Sequence, residues 1–303
     1  MYKGVVIKST GSWYTVDSSE GVFECRLKGN YKIKGIKTTN PIAVGDRVSF
    51  SVSDEKGIGL IEIIHERNNY IIRKSVNLSK QTHIIASNID QAVLVVTLCL
   101  PRTSSGFIDR FAVTAEAYHI PVKLVFNKSD LYDRKLNEQL EEWIETYEKV
   151  GYTCIVTSLY NRADMELFRT LMSDKVSLIS GHSGVGKSAL VNAIEPALNL
   201  KTAIISDFSS KGKHTTTFAQ MHKLSSGGYV IDTPGIKEFG LIDFDKNEIP
   251  RCFPEMERFL PQCQYRNCTH VHEPNCAVKQ ALKSGEVSEL RYNSYLSILT
   301  DSA

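Results

Sequence analysis

Gly181-His182-Ser183-Gly184-Val185-Gly186-Lys187-Ser188 has the spacing G-x-x-x-x-G-K-S. Glycines at these positions let consecutive backbone N–H groups turn inward and form an anion cradle. A helix starting at its end adds the partial positive charge of a helix N-terminus. In such a loop Lys187 reaches the β- and γ-phosphates, and the Ser188 hydroxyl is placed to bind Mg²⁺. An apolar run, residues 176–180, precedes it, and a helical pattern, residues 187–198, follows from Lys187 through Ala189. Strand, loop and helix are the setting this motif requires, so the stretch reads as a nucleoside triphosphate site.

Two further motifs refine that reading. Tyr229-Val230-Ile231 leads into Asp232-Thr233-Pro234-Gly235. A carboxylate at a strand end, Asp232, can hold Mg²⁺ through water, and the Gly235 N–H can meet a γ-phosphate. The base is addressed by Asn127-Lys128-Ser129-Asp130, after an apolar run at residues 122–126. A carboxylate at Asp130 can accept from the N1–H and N2–H₂ edge of guanine. Adenine has neither donor there and would leave a buried Asp130 unpaired. Lys128 can lie along the base plane and Asn127 can brace neighbouring loops. Thr157-Ser158-Leu159, also at a strand end, can offer a backbone N–H to the guanine O6. The expectation is a GTP site.

Lys211-Gly212-Lys213-His214-Thr215-Thr216-Thr217 lies between these motifs. A threonine here can close onto Mg²⁺ and the γ-phosphate when GTP is bound, and the residues alone leave open which one. Many GTPases carry a glutamine after D-x-x-G to orient the attacking water. Here the position is Ile236, which cannot hydrogen-bond. His214 is the nearest polar group that could replace it, the alternative being a surface histidine in a basic loop. Lys187 and His214 are therefore the candidate catalytic residues.

Cys263, Cys268, His270 and Cys276 offer three thiolates and one imidazole, a closed tetrahedral set for structural Zn²⁺. His272 is a competitor two residues on. Four protein ligands leave no open position for chemistry, so the metal would serve folding.

The motif order is unusual. N-K-x-D precedes the phosphate-binding loop, whereas ordinary GTPases run the other way. A circularly permuted chain can still build the same site, because the site depends on where strand ends lie in space. NKSD, GHSGVGKS, GKHTTT and DTPG in that order resemble the circularly permuted, ribosome-small-subunit-dependent GTPases, the RsgA or YjeQ family. The resemblance extends to the N-terminal strands and the Cys/His segment. It implies an OB-fold barrel, a permuted α/β GTPase and a mainly helical zinc domain. It also implies an activity stimulated by the bacterial 30S subunit late in its maturation, with 16S rRNA as partner. It favours Thr216 or Thr217 for Mg²⁺.

The elements that must position these residues follow from pattern. Residues 4–9, 13–17, 22–27, 47–52 and 60–64 alternate or are β-branched, and turn residues separate them. Five strands in so short a length suggest a small closed barrel, which removes exposed edges. From about residue 88, strands at 90–98, 121–126, 152–157, 176–180 and 229–231 alternate with helices at 107–119, 135–150, 163–171 and 187–198. That alternation implies a parallel sheet. Beyond residue 240 come a Cys/His-rich loop and helices at 276–283 and 287–299. The expected domains are residues 1–68, 69–240 and 241–303.

The chain has 303 residues, 42% hydrophobic and 23% charged, which excludes a mainly disordered or low-complexity protein. No apolar run approaches the ~20 residues that cross a bilayer. With no secretory signal pattern, a soluble, cytoplasmic, monomeric protein is expected. Seven cysteines, an odd count, argue against a disulfide framework, and Cys99 and Cys154 read as core residues. A net charge of +2 is too mild for bulk attraction to nucleic acid. Local positions must carry any RNA contact: Lys28, Lys32, Lys34, Lys37 and Arg73-Lys74, with Trp13, Tyr31 and Tyr70 as stacking candidates. A competing reading is an RNA-binding scaffold that GTP merely locks, with hydrolysis incidental. A P-loop small-molecule kinase is disfavoured, because NKSD would have no role in it.

Overall fold

Five strands whose apolar residues share one core begin the chain. In β1 (Tyr2–Thr10), β2 (Trp13–Ser18), β3 (Gly21–Leu27), β4 (Arg47–Val52) and β5 (Gly59–Ile64), Val6, Tyr14, Val16, Cys25, Val48, Phe50 and Ile61 turn inward around one core. β1 pairs with β2, β2 with β3, β3 in parallel with β5, β5 with β4, and β4 back with β1. The pairings close a five-stranded barrel, as the strand pattern predicts. The computed structural model describes residues 1–28, 41–53, 57–74, 82–200, 219–232 and 246–301.

The rest of the chain follows in order. An antiparallel pair that the strand pattern does not predict comes next, β6 (Tyr70–Lys74) and β7 (Thr82–Ser87). Then come β8 (Gln91–Val96), α1 (Ser105–Ala117), β9 (Val122–Asn127), α2 (Arg134–Val150), β10 (Thr153–Thr157), α3 (Arg162–Met172), β11 (Lys175–Ser180) and α4 (Lys187–Ile194). β12 (Gln220–Lys223), β13 (Gly228–Asp232), α5 (Pro254–Glu257), α6 (Ala277–Ser284) and α7 (Glu289–Asp301) complete it. The helix expected over 187–198 ends at Ile194, and a 3₁₀ turn, Pro196–Leu198, takes its last residues. Pro196 cannot supply the N–H that an α-helix would need there.

The described parts of Met1–Ala92, Arg169–Ser180 and Ser206–Ile236 form one compact unit, and those of Val93–Phe168, Gly181–Ile205 and Lys237–Ala303 another. In the first, β11 runs parallel to β13, β13 antiparallel to β12, and β12 reaches β1 through Lys8 and Gln220. The barrel thus shares an edge with strands more than 200 positions later, through a β12 too short to leave a periodic signal. A turn is pinned beside it. Arg67 clasps the fully buried Asp46 with two bonds of 2.6 Å, and Ser87 Oγ donates to the same carboxylate. A Cβ on Gly45 (φ +91°) would stand 2.0 Å from the Ser87 carbonyl oxygen, so only glycine fits.

In the second unit, β9 pairs in parallel with β10 and neighbours β8, whose residues are all buried, as expected of a central strand covered on both faces. Asp133 caps α2 by accepting from the Leu136 N–H, and Gly151 (φ +103°) ends it. Cys99 and Cys154 are only half-buried here, not core residues. Cys99 lies past the end of β8, in the loop that leaves it.

A charged cluster sits in this unit's interior. Arg291 of α7 is fully buried and donates to both oxygens of Glu255 (2.7 and 3.0 Å) and to Asp109 of α1 (2.7 Å). Its guanidinium also lies 4.7 Å above the Phe253 ring. Burial pushes the Asp109 carboxyl up, against the pull of Arg291. Asp109 Oδ2 and the buried Tyr147 and Tyr152 hydroxyls make no well-formed hydrogen bond among the described residues. Removing the cation would leave two buried carboxylates uncompensated. Arg291→Met is expected to lower stability by about 3–5 kcal/mol in denaturant unfolding, and an unchanged midpoint would contradict this role.

Candidate functional site

β11 leads into the glycine loop, and α4 opens at Lys187 with Gly186 (φ +100°) before it. A Cβ on Gly181 (φ +139°) would stand 2.3 Å from the Val95 carbonyl oxygen, and one on Gly186 would stand 2.4 Å from Asn127 Nδ2. The loop therefore lies against β8 and β9 with no room for side chains at those two points. Lys187 Nζ donates to the carbonyls of Gly181 (2.7 Å) and His182 (2.8 Å). The His182 ring stacks on Phe107 at 3.9 Å. Burial, and after it the Lys187 charge, holds that imidazole below its usual range. Ser183 is exposed, Val185 is buried, and Gly184, Ser188 and Ala189 are half-buried.

The ends of β9 and β10 converge on the same loop. Asn127 Nδ2 donates to the Val185 carbonyl at 2.9 Å, and Thr157 Oγ1 donates to Asn127 Oδ1 at 3.1 Å. Lys128 adopts a left-handed conformation (φ +64°) and its Nζ donates to the Gly184 carbonyl at 2.8 Å and to that of Leu100. Ser129 and Asp130 begin a 3₁₀ turn, Ser129–Leu131. Asp130 is exposed, and Ser158 Oγ donates to its Oδ1 at 2.6 Å. Leu159 is 40% exposed beside it. NKSD, TSL and the glycine loop thus meet in one place.

Spacing gave no sign of several supporting residues. The Tyr132 hydroxyl donates to the Asn127 carbonyl (2.6 Å) and accepts from the Leu98 N–H, fixing the strand end. Asp164 accepts from the Ser158 N–H at 2.9 Å, and Ser158 Oγ accepts from the Tyr160 N–H. Asp232 is the last residue of β13. Its side chain, and Gly235, Ile236, His214, Thr216 and Thr217, lie outside the described residues. So do Tyr31, Lys32, Lys34, Lys37 and the side chains of Arg73 and Lys74. Of the other RNA candidates, Lys28 pairs with Glu62 (3.2 Å), Arg26 lies 4.0 Å above the Trp13 ring, and Tyr70 is exposed.

The Cys/His segment forms one cluster. The sulfurs of Cys263, Cys268 and Cys276 and a nitrogen of His270 all lie within 4.8 Å of one another. A tetrahedral zinc with metal–sulfur bonds of about 2.3 Å needs edges of roughly 3.7 Å, which this span accommodates. Three thiols so close resist joint ionisation: burial first, then the neighbouring sulfurs, pushes the Cys268 thiol up to about 12. A dication removes that conflict. Burial keeps the His270 imidazole on the neutral, ligating side despite Glu273. The turn that carries His270 is itself anchored. Burial opposes ionisation of Glu273, but hydrogen bonds from the N–H groups of Thr269 and Val271 and the Thr269 hydroxyl win and bring its carboxyl down to about 2. His272 is exposed and stands outside the cluster.

A phosphate-type glycine loop joined to an N-K-x-D loop that precedes it in the chain defines a circularly permuted P-loop GTPase. Residues 64–242 match the family described as RsgA GTPase, and residues 3–61 match the RsgA N-terminal domain. The chain belongs to the RsgA GTPase family. It is 54% identical over 301 residues to a Flavobacterium johnsoniae protein named small ribosomal subunit biogenesis GTPase RsgA, covering 98% of this chain and 92% of that one. A Bacteroides fragilis protein of the same name is 51% identical over 300 residues, covering 99% and 96%. The crystal structure of YjeQ from Thermotoga maritima superposes with a TM-score of 0.82 at 35% identity, covering 99% of this chain and 98% of that one. YloQ, titled a circularly permuted GTPase, gives 0.77 at 30% identity, covering 100% and 95%. The barrel, the permuted GTPase and the Cys/His region expected from the sequence are all present.

The cluster geometry separates the two histidines experimentally. By metal analysis of the purified protein, His270→Ala is expected to lose bound zinc and His272→Ala to keep it. Zinc retained in His270→Ala would contradict the ligand set.

Proposed function

We propose that this chain hydrolyses GTP as a switch in late maturation of the bacterial 30S subunit, in the cytoplasm and as a monomer. The observation that carries the reading is the meeting of NKSD, TSL and the glycine loop, joined by the bonds of Asn127 to Val185 and Thr157 and of Ser158 to Asp130. Asp130 accepts from the guanine N1 and N2 groups, with Ser158 aiming its carboxylate. The Ser158 N–H is already given to Asp164 and the Tyr160 N–H to Ser158. The donor to the guanine O6 is therefore the Leu159 N–H. Lys128 flanks the base, and Ser129 and Thr157 shape the two loops. Residues 181–189 wrap the phosphates, with Lys187 moving from its two carbonyls onto them.

Ser188, Asp232 and Thr216 or Thr217 would hold Mg²⁺, which would offset the charge of the phosphates. The Gly235 N–H reads the γ-phosphate. His214 orients the attacking water, the task for which Ile236 is unfit. One structural Zn²⁺ per chain sits on Cys263, Cys268, His270 and Cys276. The functional division runs at residues 68 and 240, so the zinc-bearing domain follows directly on the γ-phosphate loop. Barrel and zinc domain grip 16S rRNA. Two curated relatives at 51% and 54% identity are named small ribosomal subunit biogenesis GTPases, which supports the partner.

Turnover of GTP by the purified protein, alone and with 30S or 50S subunits, tests the whole reading. Slow turnover alone, at least tenfold faster with 30S and unchanged with 50S, is expected, with ATP failing to compete. ATP competing equally would overturn the base assignment. Tight 30S binding with no faster turnover would leave the scaffold reading in its place.

A further inference from the structure

α1 touches two places that the sequence keeps far apart. In its first turn, Phe107 lies on the His182 ring, centroids 3.9 Å apart and planes 29° from parallel. His182 is the second residue of the glycine loop, and its carbonyl is one of the two on which Lys187 rests. Two residues further along α1, Asp109 holds the buried Arg291 of α7. Arg110 meets Asp301 at the far end of α7 at 2.6 Å. One turn on, Val113 is part of the core that packs the C-terminal helices.

α7 in turn holds the metal loop. The Tyr292 hydroxyl, next to Arg291, donates to the His270 carbonyl at 2.6 Å, and the Tyr295 hydroxyl donates to the Thr269 carbonyl. Arg291, fully buried and bonded at three nitrogens to carboxylates of α5 and α1, therefore ties α1 to α7. Lys187 reaches for a phosphate from the His182 carbonyl, and Phe107 fixes the residue that presents it.

We propose that Phe107 is a positioning residue for the phosphate-binding loop, and that α1 and α7 couple this loop to the Cys₃His centre, so that nucleotide affinity depends on whether that centre holds its metal. The proposal rests on the nucleotide reading above and adds a route separate from the D-x-x-G loop. By linkage, a nucleotide must then change metal affinity by the same factor.

The test measures GDP affinity of the full-length protein, zinc-loaded and after chelation, in the wild type, Phe107→Ala and Phe107→Tyr. His270→Ala serves as a second metal-free form. Loss of the metal is expected to weaken GDP binding about five- to tenfold in the wild type and in Phe107→Tyr, which keeps the stacked ring. In Phe107→Ala, GDP binds more weakly from the outset and loss of the metal changes affinity less than about twofold, the two sites being uncoupled. Equal losses in all three proteins would mean that Phe107 is merely structural and would overturn the proposal. So would an unchanged wild-type affinity, which leaves the nucleotide site itself standing. A zinc-loaded wild type that binds no GDP would sink both.

Discussion

A buried carboxamide, that of Asn127, ties together loops that lie 58 and 30 residues away in the chain. Its Nδ2 holds the Val185 carbonyl inside the glycine loop, and its Oδ1 accepts from Thr157 at the end of β10. Leaving such a buried amide unpaired costs about 1–3 kcal/mol per group, so the loops have one favoured arrangement. Gly186 is part of the same constraint, because a Cβ there would occupy the space of the Asn127 nitrogen. Lys128 adds a bond to Gly184, and Tyr132 holds the backbone of Asn127 from behind. The glycine loop is shaped by its neighbours as much as by its own residues.

This explains why the motif order can be permuted. Asn127 and Thr157 end parallel strands, Ser180 ends the strand that leads into the glycine loop, and the bonds between the loops do not depend on which strand comes first. What permutation changes is the exit of the chain. β13 and its D-x-x-G loop are followed by the C-terminal segment, which packs on α1 through Val113 and Arg291. Cys276 belongs to that same buried core. The metal centre and the helix beside the glycine loop therefore share a foundation.

Much of this was legible in the sequence because the chemistry is local in the chain. A glycine loop, NKSD and a Cys₃His set are short strings whose residues work together wherever they are placed. The barrel strands were legible because their residues alternate or are β-branched between turn residues, and β8 because five of its six residues are apolar. β12 was not, because four residues carry no period and their pairing with β1 is a tertiary fact. Nor could spacing reveal Phe107 on His182, Asp164 on Ser158 or Arg291 on Asp109. Only three-dimensional packing brings two acids to Arg291. Asp130 departs from the expectation of a buried acid: it is exposed, and its aim comes from Ser158 rather than from enclosure.

A structure of the protein with GDP and Mg²⁺ bound tests the central claim most directly, that the Asn127 amide holds the loops as a ready-made guanine site. The account predicts Asp130 on the N1 and N2 edge of the base, Leu159 N–H on O6, and Lys187 moved from the Gly181 and His182 carbonyls to the β-phosphate. It predicts the Asn127 bonds to Val185 and Thr157 unchanged. A base seated away from Asp130, or an Asn127 side chain turned out of its two bonds to admit the nucleotide, would contradict it.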